Sequence, residues 1–121
     1  MNAHPVVAVF GVSQEPAKYG HKIFKTLQAK GFTVFGINPK GGQILGAPLY
    51  ICLADLPQRA HTAIMVIPPA ALPQAVRQCI DGGVKEIWFQ PGAQSQEAYD
   101  LAVQAGIAAQ DGCFMAENGL W

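Results

Sequence analysis

The chain has 121 residues, half of them hydrophobic and only 13% charged, with eight basic side chains balancing eight acidic ones. A single domain of this length buries about two-thirds of its unfolded surface without staples, and the composition excludes a disordered chain. Zero net charge removes any global pull towards nucleic acid or an anionic membrane, so an anion must be held by a local site. No apolar run approaches the roughly 18 residues of a membrane span. Residues 1–5 carry no basic segment ahead of the first apolar run, so no signal peptide is expected. The three cysteines, Cys52, Cys79 and Cys113, are an odd number without a CxxC pair. They read as reduced thiols of a cytoplasmic protein rather than as a disulfide framework or a zinc site.

The apolar run at 6–10 predicts a parallel strand covered on both faces, ending at Gly11. Ile23, Phe24 and Leu27 then recur at helical spacing between Gly20 and Lys30, and Gly31 supplies a C-terminal stop. Residues 32–37 predict a second strand, closed by Asn38 and Pro39. The segment 43–50 is turn-rich, with at most a short strand at 49–51, and residues 54–57 hold only about one helical turn. Residues 62–67 predict the next strand, ended by Pro68 and Pro69. Leu72, Ala75, Val76, Cys79 and Ile80 form the apolar stripe of a second helix, with Pro73 tolerated only in its first turn and Gly82 as its stop. Residues 86–89 predict a strand, and Ser95 caps a third helix with Glu97 near its positive end. That helix turns Ala98, Leu101, Ala102 and Ala105 inward, Gly106 ends it, and a weak last strand follows at 107–109. Strands alternating with helices of about ten residues predict one α/β domain over residues 1–121. Its Rossmann-like, mostly parallel sheet has the expected order 3-2-1-4-5-6.

Ligands of such sheets bind beyond the carboxyl ends of the strands, at the switch point. Four turns are expected to form that rim. The first holds Gly11, Val12 and Ser13 and runs on through Lys18, Tyr19 and Gly20 into a helix N-terminus, a ready site for pyrophosphate. Its wide G-x-S-x₆-G spacing does not meet the compact dinucleotide fingerprint. The second turn carries Asn38, Pro39 and Lys40 where an NAD site places an acid; a lysine there suits an additional phosphate near the adenosine ribose, as in coenzyme A or NADP. Pro68 and Pro69 stiffen the third turn into an apolar wall, and Gln90 with Gly92 shapes the fourth.

Together these residues resemble the small CoA-binding protein family, the stand-alone relatives of the CoA-binding domain of succinyl-CoA synthetase α subunits. The carrying motifs are residues 9–13, Lys18-Tyr19-Gly20 and residues 36–40, with further matches at 44–46, 53–57, 88–92 and 113–117. The resemblance implies CoA or an acyl-CoA as ligand. It places the phosphates near Gly11, Val12, Ser13, Lys18, Tyr19 and Gly20, the adenosine end near Asn38, Pro39 and Lys40, and the crevice along Pro68 and Pro69. Two departures stand out: residues 67–70 are apolar, and Glu117 is followed by no basic tail. The synthetase's second domain with its phosphorylated histidine is absent, so its reaction does not carry over.

His4 and His61 fall towards the amino edge of the sheet, and His21 reads as a surface position on the first helix near the phosphates. No nucleophile has a recognisable base beside it, and a binding role without catalysis is expected. The competing readings are an NADP- or nucleotide-dependent enzyme on the same rim, and a CoA-sensing module that reports to a protein partner. Cys79 reads as core, whereas Cys113 and Glu117 follow the last strand and approach the crevice.

Overall fold

The computed structural model describes residues 4–121; residues 1–3, part of the start that reads as no signal peptide, lie outside them. The elements follow as β1 (Val7–Phe10), α1 (Tyr19–Ala29), β2 (Val34–Ile37), β3 (Gln43–Ile44), β4 (Ala47–Tyr50), β5 (Thr62–Met65), α2 (Leu72–Asp81), β6 (Glu86–Phe89), α3 (Gln96–Gln104), β7 (Ala108–Asp111) and α4 (Phe114–Glu117). Single 3₁₀ turns stand at Leu53–Asp55 and Pro69–Ala71.

The sheet runs β3-β4-β2-β1-β5-β6-β7, and every pairing except β3 with β4 is parallel. The Rossmann-like α/β class and the expected six-strand order are both present, the latter as β4-β2-β1-β5-β6-β7. The seventh strand corrects the expectation. Gln43 and Ile44 pair antiparallel with Pro48 and Ala47, across a two-residue turn in which Leu45 and Gly46 both have positive φ, 48° and 80°. What reads as a turn-rich segment is therefore a hairpin at the edge of the sheet.

Alternation along the strands divides the core into two layers. Val7, Val9 and Ile64 pack with Ile23, Phe24 and Leu27 of α1 and with Phe114 and Met115 of α4. Ala8, Phe10, Ala63, Met65, Ile87 and Phe89 face the opposite way, against Leu72, Val76 and Cys79 of α2 and Ala98 and Ala102 of α3. Pro73 sits in the first turn of α2, and the Ser95 hydroxyl accepts the Ala98 N–H at 3.3 Å as the cap of α3. Two stripe residues depart from the expected burial. Ile80 is 38% exposed because eight residues of helix carry it about 80° around from Leu72, to the stripe's margin. Ala105 lies beyond the last turn of α3, as its C-cap, and is exposed.

Three glycines allow the layers to meet above the sheet. Gly11, with φ 98°, has the Val66 carbonyl oxygen where a Cβ would stand. Gly20, in the first turn of α1, is pressed in the same way onto the carbonyl oxygen of Gly11. A Cβ on Gly36 would lie 2.8 Å from Leu49 Cδ2 and 3.1 Å from Val12 Cγ2, so β2 is bare where Val12 enters the core. By contrast Gly46, also at positive φ, faces open space, with no atom within 4 Å of where a Cβ would stand. Gly46→Ala should therefore cost about 1–2 kcal/mol, the left-handed penalty alone, and Gly11→Ala roughly 1–3 kcal/mol more, because the β5 backbone must also yield. Urea denaturation of the two variants measures the difference, and equal losses would refute the close-approach account.

Candidate functional site

The first turn is tied to the second strand by its own backbone. The N–H groups of Gly11 and Val12 both donate to the Ile37 carbonyl, at 3.0 and 3.3 Å. Val12 is fully buried, and its N–H and carbonyl are held by Ile37 and Asn38, which corrects its expected place on the rim. The Ser13 hydroxyl accepts the Glu15 N–H at 3.0 Å, and the Ser13 carbonyl lies 2.8 Å from His21 Nδ1. With a carbonyl as partner, that nitrogen carries the hydrogen and donates. His21 is only 6% exposed, which corrects its reading as a surface residue. It follows Gly20, and the close seating of the helix start on the turn draws its ring in as well.

Lys18 is the N-cap residue of α1; it supplies no side-chain cap, and no acid stands in the first turn. The N–H groups of that turn have no intrahelical acceptor, so they and the positive end of the helix dipole stay open above Gly11. Asn38 links the first two turns: its Nδ2 donates to the Val12 carbonyl at 2.9 Å, and its Oδ1 accepts the Lys40 N–H at 2.8 Å. Asn38 thereby acts as a brace, leaving Pro39 and Lys40 as the exposed members of that turn.

Two cavities flank the open helix end. One, of about 380 Å³, is lined by Gly11, Ile37, Pro39, Ile51 and Cys52, by Ala71 at the N-cap of α2, and by Gln74 and Gln78 along that helix. The other, of about 500 Å³, is an open crevice lined by Tyr19, Val66, Ile67 and Pro68 on one side and Pro91, Gly92 and Ala93 on the other. Ile67 belongs to both walls and divides them. Pro69 starts the 3₁₀ turn behind Pro68 and lines neither cavity.

Gln90 corrects the sequence reading. It is fully buried, and both ends of its amide are committed to the protein. Its Oε1 accepts the Phe114 N–H at 2.7 Å, while its Nε2 donates to the Tyr19 hydroxyl at 3.3 Å. The rim of the fourth turn is Pro91–Ala93, and Gln90 holds up the wall from behind. The same hydroxyl lies 3.1 Å from Cys113 Sγ, and the sulfur also accepts the Ala116 N–H at 3.4 Å as the cap of α4. Burial pushes the Tyr19 phenol up to about 12, and the hydrogen bond to Cys113 adds to this, with Gln90 opposing. Burial also acts to raise the Cys113 thiol, but the hydrogen bonds from Tyr19, Gln90 and the backbone N–H groups of Ala116 and Met115 outweigh it and leave it below its ordinary value. In this pair the phenol keeps its proton and the sulfur is the better anion. Trp121 packs edge-on against Tyr19, with ring centroids 5.6 Å apart.

Of the expected site residues, Tyr19, Pro68 and Gly92 line the crevice and Gly11 and Pro39 line the other cavity, whereas Ser13, Lys18, Gly20 and Lys40 line neither. Sequence reasoning missed Ile51, Cys52, Gln74, Gln78 and Ala93 as lining residues. The position of Ile51 and Cys52 just past β4, next to β2, was the signal that could have found them; the two glutamines had none, because their face of α2 is read only from what lies opposite. His61 lies just before β5, at the amino edge as expected, and His4 stacks on Phe32 at 3.9 Å. Among the described residues no cluster of His, Cys, Asp or Glu is placed to hold a metal, and no helix is long and apolar enough to cross a membrane.

The sequence profile of the CoA binding domain matches residues 5–119. The chain belongs to that family. Among its relatives, the ADP-forming acetate–CoA ligase I of Archaeoglobus fulgidus is 33% identical over 112 residues, which are 84% of this chain and 16% of the ligase. The CoA-binding domain thus spans about a sixth of that curated relative. Two stand-alone solved structures align over nearly all of it. A conserved hypothetical protein of Pyrococcus furiosus is 37% identical, with a TM-score of 0.86 over 93% of this chain and 98% of that one. A hypothetical protein of Pyrococcus horikoshii is 28% identical, with a TM-score of 0.92 over 97% of this chain and 83% of that one.

The Tyr19–Cys113 contact makes a prediction for the CoA-binding domain. Tyr19→Phe removes a hydrogen bond that favours the thiolate, so the Cys113 pKa rises and less thiolate is present at any pH near neutrality. Iodoacetamide labelling followed by mass spectrometry should show slower alkylation of Cys113 in the variant. Buried Cys79, whose thiol burial pushes up to about 12, should stay unreactive in both proteins. An unchanged Cys113 rate in the variant would show that the phenol does not stabilise the sulfur anion.

Proposed function

We propose that this domain binds coenzyme A or an acyl-CoA through its phosphates and has no catalysis of its own. The observation that carries the reading is the uncapped, acid-free N-terminus of α1, seated on the Gly11 turn through Gly20 and flanked by two cavities. Open N–H groups at a helix end take a pyrophosphate without side-chain charge. The cavity beside Pro39 has room for the adenosine, and the largely apolar crevice from Tyr19 to Ala93, of about 500 Å³, has room for a pantetheine arm; Lys40, next to Pro39 in the chain, would serve the ribose phosphate. Membership of the CoA binding domain family supports this assignment, as does the naming of the Archaeoglobus relative as an acetate–CoA ligase.

The competing ligands fare less well. An NAD site wants an acid after the second strand, where Asn38 is a brace and Lys40 brings the opposite charge. NADP shares the lysine but not the family. His21 is buried and His61 lies off the rim, so neither imidazole is offered to a ligand as a general base. Three free cysteines fit a cytoplasmic protein. A regulatory role through a protein partner is compatible with the same binding chemistry.

Thermal melting with equal concentrations of CoA and NAD tests the ligand. CoA at about a hundred times its dissociation constant should stabilise the fold by about 2.7 kcal/mol, and NAD by much less; equal shifts would end the assignment.

Lys40→Ala tests the adenosine end. Lys40 is exposed, so solvent screens its charge, and the variant should weaken CoA by about tenfold or less while hardly changing dephospho-CoA. Calorimetric titration of both ligands into both proteins yields the cycle, and equal losses would place Lys40 away from the ribose phosphate.

A further inference from the structure

We propose that Gln74 and Gln78 of α2 read the polar edge of the ligand's purine base, making the cavity beside Pro39 selective for adenine. The inference rests on the CoA reading above and names the side chains that would discriminate within it.

The walls of this cavity are apolar along Phe10, Ile37, Pro39, Ile51 and Ile67, suited to the faces of a flat ring. No acid and no base lines it, which marks it for an uncharged part of the ligand. The strong hydrogen-bonding side chains in its lining are the two amides, Gln74 and Gln78. They are four residues apart on one helix, so they stand on the same face one turn from each other. A cavity with apolar walls and a few convergent polar groups is the usual form of a small-ligand site.

The two amides differ in freedom. Gln78 Oε1 accepts the Leu53 N–H at 2.9 Å, which orients this half-buried side chain and leaves its Nε2 as a donor. Gln74 is exposed at the mouth, and its amide has no hydrogen bond within the described residues. Adenine offers one edge with both an amino donor and ring-nitrogen acceptors. A fixed donor at Gln78 and an adaptable amide at Gln74 match that alternation. Hypoxanthine reverses it at two adjacent atoms, placing N1–H where adenine has an acceptor and a carbonyl oxygen where adenine has its amino group. The position along the rim agrees: Gly11 of the phosphate turn and Pro39, next to Lys40, line the same cavity.

Adenosine 3′,5′-bisphosphate and inosine 3′,5′-bisphosphate isolate this end of the ligand. Calorimetry should give the wild type a preference for the adenosine form of about fivefold or more, one neutral hydrogen bond or better. Gln74→Leu should reduce that preference to about twofold or less, with 4′-phosphopantetheine affinity unchanged. Gln78→Glu keeps an oxygen for the Leu53 N–H but removes the donor, and should weaken the adenosine form selectively. Unchanged melting temperatures of the free variants establish that neither loss is a folding defect. If the wild type binds CoA but both variants keep the wild-type adenosine preference, the base-reading role is wrong and the CoA assignment survives. If CoA and both bisphosphates fail to bind the wild type, the CoA assignment falls and the base-reading role falls with it.

Discussion

The site depends on the backbone contact at Gly11. There the chain leaves β1, turns at a positive φ, and receives the Val66 carbonyl from one side and the first turn of α1 from the other. A side chain on Gly11 or Gly20 would lift the helix off the sheet and carry its open N–H groups away from the switch point. The contact also explains why α1 begins without a cap. A capping side chain at position 18 would fill the donors that the turn leaves uncapped. The helix gives up about 1 kcal/mol of capping energy, and burial of Ile23, Phe24 and Leu27 beneath it supplies far more than that.

The rim is braced from below by polar groups that no ligand need touch. Asn38 ties the first turn to the second, and His21 ties Ser13 to the helix. Gln90, wholly buried, ties Tyr19 to the start of α4. Each amide or ring is satisfied at both ends or at its buried end, as low-dielectric surroundings require. The crevice wall formed by Tyr19 therefore depends on residues 113–117, which are distant in sequence. This network fixes the phenol's position and sets the ionisation order of the pair, with Cys113 ahead of Tyr19.

Much of this was legible from residue types. The runs at 7–10, 63–65 and 87–89 are apolar because helices cover the sheet on both sides, and that pattern belongs to parallel strands. Gly11, Gly20 and Lys40 declare a tight turn, a close helix start and a cation without reference to the fold. The hairpin of β3 and β4 was less visible, since it is short, lies at the edge, and turns on a leucine at positive φ. The burial of His21 and Gln90 was not visible at all. Both are polar residues next to rim glycines or prolines, and only the contact of α1 with the first turn, and of α4 with β6, encloses them.

Sequence alone therefore determined the α/β class, the order of the six parallel strands and the turns that end them. These follow from periodicity, glycine conformations and proline restrictions, all of which act over a few residues; the family resemblance rests instead on motifs spread along the whole chain. Tertiary structure alone decided which rim residues line a cavity and which serve as braces. It also decided that Gln74 and Gln78 share a cavity with Gly11 and Pro39, and that Cys113 meets Tyr19 across 94 residues of chain. The physical reason is that exposure and hydrogen-bond partnership belong to pairs of surfaces. A side chain's role at a switch point is set by the element packed against it, and for this rim those elements come from opposite ends of the chain.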